Sequence, residues 1–221
     1  GSMYSQVTPA CISTRMNLKL RNWKCQRELE KYSEPFSAMN WLFGAQYQEP
    51  YVELAWKWLI KNHPHDSICG CSLDRVHQDM VARFSWCYDN ASDVFKYSCG
   101  SILSGIDTEI LISSFKEKRP NSDVKVVCAF NPNAHSASYI FEGYVNLAPN
   151  KKYELYDPKS NELVSDYFIE YIPDYRENVK EGQYLYKQFQ SNYCLGKLSV
   201  FSEDLPPFGY KTLCLVSKNE E

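Results

Sequence analysis

The fold of this chain is decided by the stretch Lys116-Glu-Lys-Arg-Pro-Asn-Ser-Asp-Val-Lys-Val-Val-Cys-Ala-Phe130. Its first seven residues are mostly charged or turn-forming and include Pro120, which cannot continue a helix. From Val124 onward the apolar residues follow a strand-like pattern, whereas the residues before this stretch follow a helical one. The change of period predicts a domain boundary, with helices before it and strands after it.

Two amphipathic helical segments are predicted in the first part of the chain. Between Leu18 and Phe43 the apolar residues recur at alternating three- and four-residue spacing, which lines one face of a helix. Pro35 should kink or interrupt that helix because it lacks a backbone N–H. A second helix is predicted to begin at Pro50, a favoured first-turn residue, and to end near Asn62-His63-Pro64.

A third helix is predicted to start with Ser72 as its N-cap and Asp74 in its first turn, and a continuation past Gly100 toward Leu111 is left open. Three such helices joined by short connections predict a three-helix bundle over residues 15–118. Gly1-Ser2-Met3 has the appearance of a cleaved-tag remnant, so residues 1–14 are interpreted as that remnant and a lead-in segment.

The second half of the chain predicts short strands without intervening helical periodicity. The predicted strands are Val124–Phe130, Ser138–Val145, Tyr153–Tyr156, Leu163–Ile172, Tyr184–Asn192, Lys197–Phe201 and Tyr210–Val216. Such spacing predicts an antiparallel β-sandwich over residues 119–221. The predicted fold class is therefore α+β and multidomain, with a three-helix bundle followed by an antiparallel β-sandwich.

Composition excludes several classes of function. The formal net charge is −3, with both signs mixed along the chain, so there is no basic stripe that would bind nucleic acid. No apolar run approaches the roughly 20 residues needed to cross a bilayer, so no membrane association is expected. The odd number of cysteines, nine, lacks the spacing of a disulfide framework, which favours free thiols and a cytoplasmic location.

The segment Asn62-His-Pro-His-Asp-Ser-Ile-Cys-Gly-Cys-Ser72 concentrates groups that can carry chemistry. It holds two of the four histidines, a carboxylate and two thiols, and imidazole and carboxylate are suitable zinc ligands. One alternative is an ordinary loop in which Asp66 and Ser67 cap the backbone and Gly70 makes the turn. Another is a self-contained zinc site built from His63, His65, Cys69 and Cys71, although these pairs lack the usual spacing of structural zinc ligands.

Other polar residues are interpreted as structural. Asp74 and Asp79 are interpreted as helix cap and surface residues, and His135 as a turn residue. His77 is interpreted as structural or exposed, with a hydrogen bond to the loop left open. The tryptophans on helix faces, Trp23, Trp41, Trp56 and Trp58, are predicted to be mostly core, and Cys69 and Cys71 to be packing residues. No pair of carboxylates in the chain is assigned a catalytic role.

The stretch Ala55-Trp-Lys-Trp-Leu-Ile-Lys-Asn-His-Pro-His-Asp-Ser-Ile-Cys-Gly-Cys-Ser-Leu-Asp-Arg-Val-His77 resembles the central region of bacterial α-mannosidases of glycoside hydrolase family 38. The resemblance extends to Ser13-Thr-Arg-Met16 and Leu29-Glu-Lys-Tyr-Ser-Glu-Pro35 upstream. Downstream it includes Ala129-Phe-Asn-Pro132 and Leu205-Pro-Pro-Phe-Gly-Tyr210. The resemblance therefore implies a fragment that covers the central helical domain and the first β-domain of such an enzyme.

The resemblance implies specific roles for two residues. In that family one zinc ion is held by an N-terminal α/β barrel together with the histidine of this loop, which implies that His65 is a zinc ligand. The aspartate that follows contacts sugar hydroxyls, which implies a substrate-binding role for Asp66. The nucleophile and the acid/base of the retaining mechanism lie in the barrel, which this chain lacks. The fragment alone is therefore expected to be inactive.

The function predicted for the parent protein is zinc-dependent retaining hydrolysis of terminal α-mannosides. The expected partners are the α-mannoside and the missing N-terminal barrel domain of the same protein. A homo-oligomer is left open because apolar surface is expected to be exposed. The alternative function is a stand-alone carbohydrate-binding or protein-interaction module, in which the helices are only a platform.

Overall fold

The structure is a computed structural model that describes residues 11, 13–172 and 194–218. The chain divides into two compact units, residues 1–106 and residues 107–221. The first unit contains helices, and the second contains one helix and two antiparallel sheets among the described residues. The predicted α+β class is confirmed. No helix in the described part of the chain combines the length and apolar character needed to cross a membrane.

The helices of the first unit follow the predicted periodicities, with two differences at their ends. Their bounds are α1 (Met16–Glu28), a π-helical turn (Leu29–Ser33), α2 (Glu34–Leu42), α3 (Glu49–Ile60), α4 (His65–Cys69) and α5 (Asp74–Ser104). Helix α5 ends at Ser104 and does not reach Leu111. Its N-cap is Leu73, without a side-chain cap, so the prediction of Ser72 as the N-cap was wrong.

The predicted interruption at Pro35 is confirmed by the π-helical turn directly before it. Pro35 lies in the first turn of α2, and because it has no N–H the preceding helix cannot continue with regular hydrogen bonds. The hydroxyl oxygen of the fully buried Ser33 lies 2.7 Å from the carbonyl oxygen of Ala91 and 3.0 Å from that of Glu28, and its single proton is shared between these acceptors. The widened turn is thereby tied to α5.

One apolar cluster fills the interior of the helical unit. It is formed by residues that α1, its π-helical extension, α3 and α5 turn inward: Leu18, Cys25, Leu29, Ala55, Leu59, Met80, Phe84, Cys87 and Ala91. Each of these side chains is at most 2% exposed. The three long helical segments therefore bury their apolar stripes against one another, as amphipathic helices must to be stable in water.

Four tryptophans were predicted to be mostly core, and two of them are not. Trp23 and Trp41 are exposed, so the prediction was wrong for them. Trp56 and Trp58 are partly buried and pack against the helical core, and Trp58 meets Trp86 with ring centroids 4.8 Å apart. Helical periodicity shows which tryptophans share a helix face, but it does not show which face packs against another helix.

The second unit begins with helix α6 (Glu109–Lys118), which the sequence had placed in the helical domain. Phe115 of α6 is buried with Val124, Cys214 and Val216, and its ring meets Tyr156 with centroids 5.7 Å apart. The apolar face of α6 is thus used against strands of this unit. The residues 107–118 therefore group with the strands.

Six strands form two sheets in the described residues. They are β1 (Val124–Asn131), β2 (Ala137–Leu147), β3 (Tyr153–Tyr156), β4 (Tyr167–Ile172), β5 (Cys194–Leu205) and β6 (Gly209–Ser217). The strand orders are β1-β6-β3 and β2-β5-β4, and every pairing is antiparallel. The predicted strand at Tyr184–Asn192 lies outside the described residues. Of the predicted strand from Leu163, only the part from Tyr167 is regular, and Leu163 itself makes an isolated bridge to Tyr156.

A single apolar cluster draws residues from both sheets. Its buried members are Leu147, Tyr153, Leu155, Leu198, Val200, Leu213 and Leu215. Leu198 and Val200 alternate with exposed or half-buried residues along β5, so one face of the β2-β5-β4 sheet is directed into this core. The opposite face of that sheet lies at the surface.

Candidate functional site

The residues singled out by the sequence lie in the segment between α3 and α5, here called the His65 loop (residues 62–74). The sequence predicted an open loop, but the segment contains the helical turn α4. Pro64 has extended backbone angles directly before this turn, and Gly70 ends it in the left-handed conformation at φ 89°. The loop is therefore a short helix held between two fixed ends.

The first end of the His65 loop is fixed by Asn62, which is fully buried. The Asn62 amide donates to the carbonyl oxygen of Met80 at 3.3 Å, and its side-chain oxygen accepts from Nε of Arg83 at 2.8 Å. The next residue, His63, contacts Oδ1 of Asn22 through Nε2 at 2.6 Å. Partial loss of hydration lowers the pKa of His63, so its ring is neutral at pH 7. Side chains of α1 and α5 thus hold this end in place.

The second end is fixed by two cations at the start of α1. Nε of Arg15 donates to the carbonyl oxygen of Gly70 at 3.2 Å, and the guanidinium also pairs with Asp74 at 2.6 Å. The Lys19 ammonium donates to the carbonyl oxygen of Cys69 at 3.0 Å. Both carbonyls lie at the C-terminal end of α4, where cations are favoured by the exposed backbone dipoles.

Gly70 allows the loop to approach α1 this closely. A Cβ at this position would lie 3.2 Å from Cγ2 of Thr14 and 3.3 Å from Cδ of Arg15. Its φ of 89° is also one that side-chain-bearing residues rarely adopt. The predicted turn role of Gly70 is therefore correct, and the turn depends on both the angle and the space.

His65 and Asp66 occupy the first turn of α4 and are directed to solvent. Their side chains are 91% and 65% exposed, and Nε2 of His65 lies 3.1 Å from Oδ1 of Asp66. The carbonyl oxygen of Asp66 accepts from the backbone N–H groups of Cys71 (3.2 Å) and Ser72 (3.3 Å). The backbone under this pair is fixed, while both side chains remain accessible to a ligand.

In the part of the chain that the structure describes, no complete metal site surrounds His65. Among residues 11, 13–172 and 194–218, no three His, Cys, Asp or Glu side chains come together in a way that could hold a metal ion. The self-contained site of His63, His65, Cys69 and Cys71 is therefore not formed. His65 can act only as one ligand of a site completed by other groups, since zinc in proteins requires three or four protein ligands.

The two thiols of the loop were interpreted as packing residues. Cys69 is half-buried, but Cys71 is exposed, so that interpretation was wrong for Cys71. Reduced hydration and a hydrogen bond to Asp66 raise the pKa of the Cys71 thiol, and reduced hydration also raises that of Cys69. Neither thiol is activated toward the thiolate, in agreement with the lack of a reactive role.

His77 lies beneath the loop and is buried, so of the two sequence interpretations, structural or exposed, the structural one applies. It is 5% exposed, and neither ring nitrogen has a hydrogen-bond partner within the described residues. The backbone of Ser67 and the side chain of Arg15 lie near the ring. Burial, followed by the charge of Arg15, lowers the pKa of His77, so the ring is neutral at pH 7. The signal in the sequence was its position three residues before Met80 on the buried face of α5.

The remaining polar candidates have structural surroundings. Asp74 is paired with Arg15 at 2.6 Å, and Asp79 is exposed on α5. His135 is exposed, and its carbonyl oxygen accepts from the Asn131 amide at 2.8 Å, which agrees with a turn residue. None of these residues joins His65 and Asp66.

Comparison with known proteins gives this arrangement a family context. Residues 9–102 match the family model described as Alpha mannosidase middle domain. A curated relative, the putative mannosylglycerate hydrolase of Halalkalibacterium halodurans, is 43% identical over 72 residues, which are 33% of this chain and 8% of that protein. The match lies within a chain much longer than this one.

Two solved structures from Enterococcus faecalis have a similar fold. One is an alpha-mannosidase of strain V583, with a TM-score of 0.70 and 24% identity over 95% of this chain and 24% of its own. The other is a protein in the glycosyl hydrolase family 38, with the same TM-score and identity over 96% of this chain and 26% of its own. The chain thus spans about a quarter of the length of each structure, and the likeness to family 38 predicted from the sequence is confirmed.

Proposed function

Because residues 9–102 match the family model described as Alpha mannosidase middle domain, we propose that the whole protein is a zinc-dependent, retaining α-mannosidase of glycoside hydrolase family 38. Its substrates would be terminal α-mannosides. In this proposal the present chain supplies one zinc ligand, His65, and one sugar contact, Asp66. The rest of the site is supplied by an N-terminal domain that this chain does not contain.

The observation that carries the proposal is the exposed His65–Asp66 pair on a backbone fixed from both ends. A ligand that completes a site on another domain must be accessible and must also be held in position, because a misplaced ligand loses affinity. His65 meets the first requirement and the contacts of Asn62, Arg15 and Lys19 meet the second. One histidine cannot hold zinc alone, which agrees with a shared site.

The two side chains would bind different groups, His65 the zinc ion and Asp66 the sugar hydroxyls. Nε2 of His65 lies 3.1 Å from Oδ1 of Asp66. In the tautomer that carries its proton on Nε2, the lone pair that could bind zinc is on Nδ1. When Asp66 instead accepts from sugar hydroxyls, Nε2 is released from that contact. When bound, zinc would act as a Lewis acid toward the vicinal hydroxyls of the sugar. Neither residue is proposed to transfer a proton.

The nucleophile and the acid/base are proposed to lie outside this chain. Retaining glycosidases use two carboxyl groups about 5–5.5 Å apart, one on each side of the bond that is cleaved. Asp66 is the carboxylate nearest the proposed ligand, and it is assigned to binding. The isolated chain is therefore expected to show no hydrolysis. In the same proposal the three long helical segments form a three-helix bundle, and the two sheets form a β-sandwich.

The test is made on the complete native gene product. Its mass should be several times the 25.7 kDa of this chain, and the purified protein should contain one zinc and hydrolyse an aryl α-mannoside. The His65→Ala variant is expected to lose zinc and at least 100-fold in activity, because a ligand is removed. His135→Ala, a substitution of an exposed histidine on the second unit, is the control and should retain both. Full activity of the His65→Ala variant would refute the proposal.

The alternative, a stand-alone binding module, makes the opposite prediction for the native product. A native protein of the same mass as this chain would exclude a shared zinc site within one polypeptide. Sugar affinity of the isolated chain in the presence of a chelator would then account for its function. One face of the second unit has the composition for such binding.

A further inference from the structure

The β2-β5-β4 sheet has an outer face that no part of the proposed zinc site uses. Glu142 of β2 pairs with Ser199 of β5, which pairs with Phe168 of β4. In the next row Tyr144 pairs with Lys197, which pairs with Glu170. These six residues alternate with the buried Leu198 and Val200, so they lie on the face opposite the core. They are called the outer sheet face below.

Two aromatic rings on this face are open to solvent. Tyr144 is 68% exposed and Phe168 is 64% exposed. They are two strands and one row apart, which places their Cα atoms about 12 Å from each other. The next row of the same face adds Ile140 and Phe201, which are 67% and 38% exposed. An exposed ring in this position contributes nothing to the core, and it offers a flat apolar surface to a ligand.

Fixed polar groups lie between the two rings. The Lys197 ammonium is 2.8 Å from Oε1 of Glu142, and the Ser199 hydroxyl donates to the same oxygen at 2.9 Å. Hydrogen bonds from Lys197 and Ser199 lower the pKa of Glu142, and Glu142 raises the pKa of Lys197. Both groups stay charged around neutral pH, so the face always presents an acceptor and a donor beside each other.

The charges on the face select against several ligands. Glu142, Glu170 and Lys197 sum to one negative charge, which disfavours phosphate-containing ligands and anionic lipid surfaces. A purely apolar partner would have to desolvate the ion pair without replacing its hydrogen bonds. A neutral ligand with both an apolar face and many hydroxyl groups suits the rings and the polar centre together.

We infer that the outer sheet face is a binding surface for a neutral oligosaccharide. The apolar C–H face of a sugar ring would stack on Tyr144 or Phe168, while its hydroxyls would bond with Glu142, Lys197 and Glu170. The separation of the rings leaves room for more than one sugar unit. This binding requires neither zinc nor His65, so it stands apart from the proposed hydrolysis.

The test uses the full 221-residue chain in a chelating buffer, titrated with α-linked mannobiose and mannotriose. Heteronuclear NMR should show saturable shifts in residues 140–144, 168–170 and 197–201, larger for the trisaccharide. Tyr144→Ala and Phe168→Ala should each weaken binding roughly tenfold, through loss of one stacking ring. Both rings are exposed, so neither variant should change thermal unfolding.

The controls distinguish this surface from the zinc site. Tyr97→Ala removes an exposed ring from the helical unit and should leave sugar binding unchanged, as should His65→Ala. Retained sugar binding in the His65→Ala chain together with retained hydrolysis in the His65→Ala gene product would reject the proposed zinc site but keep this inference. Absence of saturable shifts, shifts centred on residues 62–74, or self-association of the chain through this face would overturn the inference.

Discussion

The His65 loop and the outer sheet face both present polar side chains to solvent, but different bonds hold them in place. In the loop the backbone is fixed by side chains from distant elements, such as Asn62 to α5 and Arg15 to Gly70. On the sheet the backbone is fixed by ladder hydrogen bonds that every residue type except proline can make. A loop of this kind should therefore depend on individual residues, whereas the sheet face should tolerate single substitutions.

The largest effect is expected from a matched pair of asparagine-to-alanine substitutions, compared by their free energy of unfolding. Asn62→Ala should destabilise the chain by about 3 kcal/mol, because it removes a fully buried side chain and leaves Nε of Arg83 without this acceptor. It also removes one of the two hydrogen bonds of the Met80 carbonyl, which keeps its bond within the helix. Asn146→Ala, an exposed position on β2, should change the free energy of unfolding by less than about 0.5 kcal/mol. Urea unfolding of both variants measures the difference. Equal effects would show that the side-chain bonds of Asn62 do not fix the loop.

Much of the fold was predictable from the spacing of apolar residues along the sequence. The strand Tyr153–Tyr156 was predicted with its observed bounds, and the helix from Pro50 and the interruption at Pro35 are confirmed. These features depend on neighbours within a few positions in the sequence. The domain to which α6 belongs was not predicted correctly, because an apolar stripe on a helix does not specify whether other helices or strands pack against it.

The sequence singled out the residues of the candidate site, but it did not predict the contacts that hold them. The segment that contains His65 and Asp66 was identified from its composition and its family likeness, and their proposed roles remain predictions. Arg15 and Lys19 were missed because they are 50 to 55 positions from the carbonyls they bind. Such contacts are created only when α1 packs against α5. The outer sheet face was missed for a similar reason, since the partners of β2 lie 47 to 68 residues away along the chain.

A second pair compares glycines. Gly70→Ala should destabilise the chain by about 2 kcal/mol, because alanine is strained at positive φ and its methyl group would press on Thr14 and Arg15. Gly143→Ala on β2 places its methyl group where no atom lies within 4 Å, so it should be neutral or slightly stabilising. Thermal and urea unfolding decide the outcome. If Gly70→Ala were as well tolerated as Gly143→Ala, the close approach of the loop to α1 would not be required.

The smallest expected effect is a pH dependence that comes from His77. Its folded-state pKa is lowered by burial, so the unfolded chain binds this proton more tightly, and stability is lost as the pH falls through about 6.5 and below. Between pH 7.5 and 5.5 this loss is at most about 1.4 kcal/mol, the value for a ring that stays neutral while folded. His77→Phe keeps a ring of similar size without a titrating group. It should therefore show a smaller loss of unfolding free energy over that range than the unchanged chain.

The matched substitution for this measurement is His135→Phe, at an exposed position of the second unit. Part of the pH dependence should remain in the His77→Phe chain, because partial loss of hydration also lowers the pKa of His63. Equal losses for His77→Phe and the unchanged chain would mean that His77 gains a partner when protonated. The protonated ring would then support the loop through a hydrogen bond. The partner of its buried nitrogens, which have none in the described residues, would be the adjacent backbone of Ser67.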